Sequence, residues 1–148
     1  MQSTRFIALG LVAVCGVVFA QPGMKPISAL HPKAPAGAKV FIISPKDGAT
    51  VGENFTVKFG ASGVTVAPAT HMAADTGHHH LLIDVDKLPA LDKPIPKDAH
   101  HLHFGKGQTE AKVHLSPGDH TLQLDFANYA HMQFDPPIVS RRITVHVR

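Results

Sequence analysis

The chemistry this chain could perform sits in its histidines, twelve in 148 residues. They are clustered. His78-His79-His80 forms one run, His100-His101-Leu102-His103 a second, and His71-Met72 and His131-Met132 make two matching pairs. In an extended strand, residues two apart point the same way. His78 and His80 therefore share a face, as do His101 and His103. Leu81, Ile83 and Val85 set the inward parity, which places His79 inward and leaves His78 and His80 outward. Leu102 and Phe104 likewise put His101 and His103 on the outer side. Two such pairs on neighbouring strands would bring four imidazoles to one ion. Neutral imidazole suits zinc, copper, nickel and iron, and thioether sulfur adds a preference for reduced copper. Copper is the first expectation and zinc the second. Asp84 or Asp75 could serve as an oxygen ligand or as an acceptor for a ring N–H.

Each of these residues also has a plainer reading. A His-x-His on an exposed strand is commonly solvated polar surface. His79 reads as a core-edge histidine bonded to backbone, and His114 and His146 as ordinary surface. Met72 and Met132 could simply fill gaps in a core. The first ligand set is therefore His78, His80, His101 and His103 with Asp84. His71, Met72, His131 and Met132 form the second.

Composition removes several alternatives. Cys15 is the single cysteine and falls within the apolar run Phe6–Ala20. Arg5 precedes that run and Val18-Phe19-Ala20 ends it, the features of a secretory signal cleaved before Gln21. An uncleaved anchor is the alternative. Val14 before Cys15 argues against a lipoprotein signal. A chain beginning at Gln21 has no thiol, hence no disulfide, cysteine nucleophile, iron–sulfur cluster or thiolate-ligated copper. The net charge of +3 is scattered, with one basic doublet at Arg141-Arg142, one tyrosine and no tryptophan. That excludes a nucleic-acid stripe and a stacked sugar platform. There is no Gly-x-Ser-x-Gly elbow, and Gly105-Lys106-Gly107 is too short for a phosphate loop and reads as a hairpin turn.

The elements that must position the histidines are strands. After the signal (1–20), residues 21–37 carry Pro22, Pro26, Pro32 and Pro35 and read as an extended tether. The body runs over 38–148. Val40–Ile43 is a compact β-branched run, closed by the turn Ser44-Pro45-Lys46-Asp47-Gly48. Phe55/Val57/Phe59, His79/Leu81/Ile83, Ala111/Val113/Leu115, Leu122/Leu124/Phe126 and Ile143/Val145/Val147 alternate with polar partners. At least six short strands and no helical period predict an all-β, antiparallel two-sheet β-sandwich, with an immunoglobulin-like topology within reach. Segments 64–77 and 87–100 are long for hairpins, and loops of that length tend to carry function.

Three segments carry a resemblance. Gly77-His-His-His-Leu-Leu-Ile-Asp84, His103-Phe-Gly-Lys-Gly-Gln-Thr-Glu110 and Pro117-Gly-Asp-His-Thr-Leu-Gln-Leu124 together resemble a bacterial secreted family known as domain of unknown function 4399. The resemblance implies a small exported β-domain and brings no activity or site residues. The expectation is thus a periplasmic or secreted module binding a copper or zinc ion, as chaperone, scavenger or buffer. Its partners would be the metal ion and, as a second candidate, another envelope protein, with no nucleic acid and no membrane span after signal cleavage. The alternatives are a cell-envelope interaction domain with a pH-responsive histidine surface, and a metal-dependent enzyme.

Overall fold

The computed structural model describes residues 31–148. The expected signal segment, its cleavage point and residues 21–30 lie outside the described residues. Ten strands follow in order: β1 (Lys39–Ser44), β2 (Ala49–Val51), β3 (Asn54–Ser62), β4 (Thr65–Val66), β5 (Thr76–Ile83), β6 (His101–His103), β7 (Glu110–His114), β8 (Gly118–Ala127), β9 (Gln133–Val139) and β10 (Ile143–Val147). Among the described residues no helix is long and apolar enough to cross a membrane.

The strands form two sheets. One has the order β1-β3-β7, the other β2-β10-β8-β5-β4, with β6 added to β5 and β9 to β8. Setting aside the short β2, β4 and β6, the first, second and fourth of the remaining strands form one sheet, and β5, β8 and β10 stand together on the other with β9 beside β8. That is the immunoglobulin arrangement of strands A, B and E against C, F and G. The sandwich is antiparallel throughout its main ladders, while the short β2 and β4 pair in parallel with β10 and β5.

Alternation builds the core. Val57 and Phe59 from one sheet meet Leu81, Leu122, Leu124, Phe126 and Val145 from the other, all essentially buried. Each such side chain contributes about 1.5–3 kcal/mol on removal from water. Gly48 takes φ 76° in the expected turn, where the Asp47 carboxylate accepts from the Thr144 amide and pairs with Arg141.

Two features differ from the sequence reading. Residues 32–35, read as tether, lie along β9: Ala34 N–H donates to Asp135 O, and Asp135 N–H to Pro32 O. The second concerns β5, which is buried along its entire length. It is a central strand with one face on the core and the other under two irregular segments, 84–100 and 128–132. Gln133 Nε2 donates to Pro89 O, and Ile95 N–H donates to His131 O, so the covering segments are fastened to the sheet and to each other.

Candidate metal centre

Strand β5 supplies the first two ligands. His78 and His80 project from the face opposite Leu81 and Ile83, as parity requires, but they are 0% and 1% exposed rather than on the surface. The covering segments bury a face that alternation alone leaves open. The register of β6 on β5 sets His103 directly opposite His80 and His101 opposite Leu82. Residues opposed in an antiparallel pair share a face, so His103 joins His78 and His80.

The fourth ring comes from the turn between β8 and β9. There the Asn128 side-chain oxygen accepts from the Ala130 and Met132 amides, and His131 N–H donates to Asn128 O. His131 adopts φ 62° at its tip. This conformation is uncommon outside glycine, and histidine is among the few residue types enriched in it. It turns the imidazole toward His103.

The Nε2 atoms of His78, His80 and His103 converge, and that of His131 adjoins His103. His80–His78, His78–His103 and His103–His131 are 3.1, 3.2 and 3.1 Å apart, nitrogen to nitrogen. His131 adjoins His103 and lies farthest from His80, their ring centroids 6.0 Å apart. An ion holding imidazole nitrogens at about 2.0–2.1 Å in a tetrahedron sets them about 3.3 Å apart.

Hydrogen bonding accounts for this geometry only through shared contacts. Each Nε2 of a neutral ring carries either one hydrogen or one lone pair. In the chain 80–78–103–131, with each used once, at most two of the three contacts can be hydrogen bonds. The third sets like against like or, where the tautomers alternate along the chain, reuses a hydrogen and a lone pair that are already engaged. With the protons on Nδ1 instead, all four lone pairs point inward. A cation among the His78, His80 and His103 nitrogens would meet their three lone pairs together.

The surroundings hold the rings neutral. Burial, followed by the fields of His103, His131 and His79, lowers the His78 pKa to about 3. Burial, followed by His78, His103, His131 and His101, lowers His80 to about 2. His103 is lowered in the same direction by burial, then by His131 and Lys97. Gly105 makes room for its ring, since a Cβ built there would collide with the His103 imidazole.

The remaining expected residues lie elsewhere. His101 shares the face but is held by Asp98, Nδ1 to carboxylate 2.8 Å. Asp84 is engaged by His120 at 2.7 Å and by the Thr121 amide. Met72 is 70% exposed and His71 is also exposed, while Met132 is buried beside His131. Asp75 takes φ 57° and its carbonyl accepts from Thr65 N–H in the turn leading into β5. His79 does point inward, against Phe59 and Phe126 with ring centroids 5.3 Å away in each case. Contrary to expectation it is not bonded to backbone: neither ring nitrogen has a partner.

Two residues escaped the sequence reading. Gly105 looked like half of a hairpin turn. Asp125, on the outward parity of the Leu122/Leu124/Phe126 strand, is 0% exposed. Burial pushes its carboxyl up to about 7, with the Phe126 amide pulling part-way back. A carboxylate on the strand paired with the histidine run was the available signal.

A family model described as a domain of unknown function (DUF4399) matches residues 57–148. No curated protein matches the chain. Among solved structures, a fibronectin(III)-like module of Clostridium thermocellum CbhA matches with 14% identity and a TM-score of 0.34, covering 73% of this chain and 92% of that one.

Proposed function

We propose that this chain, which belongs to the DUF4399 family, is an exported transition-metal binding module holding copper, or secondarily zinc, through four imidazoles. The observation that carries the reading is the convergence of the His78, His80, His103 and His131 Nε2 atoms at 3.1–3.2 Å along their chain of contacts. His78, His80 and His103 alone each offer a nitrogen within 4.8 Å of the others. Nitrogen-donor sites generally bind Cu2+ more tightly than Zn2+, which supports the order of the two metals.

His78 and His80 are buried, while His103 and His131 are only partly covered. The ion therefore reaches the site from the His103–His131 rim. A site with an accessible rim suits a chaperone, scavenger or buffer that must release its cargo. The alternative, an envelope interaction domain whose histidine surface charges with pH, needs exposed rings that protonate near neutrality. His78 and His80 are buried and held neutral, which favours the metal reading.

The test is elemental analysis and equilibrium dialysis against Cu2+ and Zn2+ using tag-free protein. One ion per chain is expected, lost when His80 and His103 are both replaced by alanine. Unchanged binding in that double variant would overturn the proposal.

A further inference from the structure

Asp125 is the one fully buried carboxylate among the described residues, and neither of its oxygens meets a hydrogen bond of good geometry there, the adjacent Phe126 amide acting on it only weakly. Leaving a buried polar group unpaired is unfavourable, and more so for a charged one. Its neighbours in the ladder show where it faces. The β5–β8 register sets Asp125 directly opposite His80. Opposed residues share a face with Cβ atoms about 4.5–5.5 Å apart, a gap that a carboxylate and an imidazole bridge by side-chain rotation alone. His80 presents a matching orphan, since its Nδ1 is buried and likewise without a partner. Nearby, Gln133 Oε1 is a further unsatisfied acceptor on β9.

The rest of the fold shows what carboxylates do beside imidazoles in this protein. Asp84, Asp98 and Asp119 each meet the Nδ1 of a histidine, at 2.7, 2.8 and 2.6 Å. All three pairs lie at the surface. Asp125 and His80 are the buried counterpart, aligned in register and left unmade.

We propose, building on the four-histidine reading above, that Asp125 is the positioning residue of the metal centre. It accepts the Nδ1–H of His80, fixes the tautomer that aims Nε2 at the ion, and supplies negative charge that four neutral rings lack. Such outer partners are a general feature of histidine-ligated metals, and losing one typically costs 10–100-fold in affinity.

The test compares the parent protein with Asp125→Asn and Asp125→Leu by competitive titration with Zn2+ and Cu2+. A 10–100-fold loss is expected for Asp125→Leu, and a smaller loss for Asp125→Asn, whose amide oxygen still accepts. Without metal, Asp125→Leu should melt no lower than the parent, because it removes an unpaired buried carboxyl. The readout specific to positioning is the 15N–1H spectrum of the zinc-loaded protein. A protected His80 Nδ1–H resonance is expected in the parent and in Asp125→Asn, and is lost in Asp125→Leu. If the parent binds metal and both variants match its affinity, Asp125 has no such role and the four-histidine site stands. If the parent binds no metal, the functional reading falls first and this inference with it.

Discussion

The two faces of β5 carry the same residue type to opposite ends. On the inner face, His79 lies among Phe59, Phe126 and the sandwich core with both nitrogens unpaired. One residue to either side, His78 and His80 face rings from β6 and the 128–132 turn and form a convergent set. The difference lies entirely in what the opposite elements supply. Phenylalanines make an imidazole a filler, and further imidazoles make it a ligand. Alternation in a strand fixes which face a residue takes, and the neighbouring strands decide what that face is for.

The largest effect that could break this comparison is a matched substitution. His80→Phe should abolish tight metal binding, whereas His79→Phe should leave it intact. His79→Phe should also stabilise the fold by about 1 kcal/mol or more, because it removes two unpaired buried nitrogens. Titration and thermal melts of the two variants decide it. Loss of binding in both would mean that β5 responds as a unit and that its two faces are not independent.

Acid should act on both faces together in the metal-free protein. His78, His79 and His80 titrate near 3, 4 and 2 when folded, against 6.5 when unfolded. The unfolded chain therefore binds protons first, and stability falls as pH drops below about 6.5. Asp125 works in the opposite sense. Its folded carboxyl titrates near 7, against 3.8 unfolded, so its contribution is lost as pH rises through that window. Three histidines outweigh one aspartate, and urea melts should weaken steadily from pH 6.5 to 4.5. Asp125→Asn should steepen that slope.

Gly105→Ala is the next smaller effect. The added methyl collides with the far end of the His103 side chain rather than with backbone. The fold should persist with a shift in melting temperature of a few degrees at most. Metal affinity should fall several-fold as the His103 ring is displaced. His101→Ala should do least, since that ring is tied to exposed Asp98. Unchanged affinity is expected there, and a loss as large as that of His80→Phe would return His101 to the ligand set.

These contrasts also show what the sequence could convey. The main strands and the parity of His78, His80 and His103 were legible, because period-two alternation against Leu81, Ile83, Leu122 and Leu124 is a local signal. Burial of His78 and His80 was not. It depends on segments 84–100 and 128–132 folding over the sheet, fastened through Gln133, Pro89 and Ile95. The strands β2, β4 and β6 are two or three residues long, too short to show a period. β9 contains Asp135-Pro136-Pro137, which reads as a break. His131 stood among the second-choice ligands, because only its turn and its positive φ carry it to His103. Spacing alone places His101 with the ligands, whereas its Nδ1 is engaged by Asp98.

Four imidazoles sharing one ion would leave a distinct signature in X-ray absorption of the copper-loaded, tag-free protein. A first shell of four nitrogens near 2.0 Å with the outer-shell scattering of imidazole rings is expected. A shell containing sulfur, or one of carboxylate and water oxygens with a single imidazole, would contradict it. In the sulfur case the ligand role would pass to the His-Met pairs.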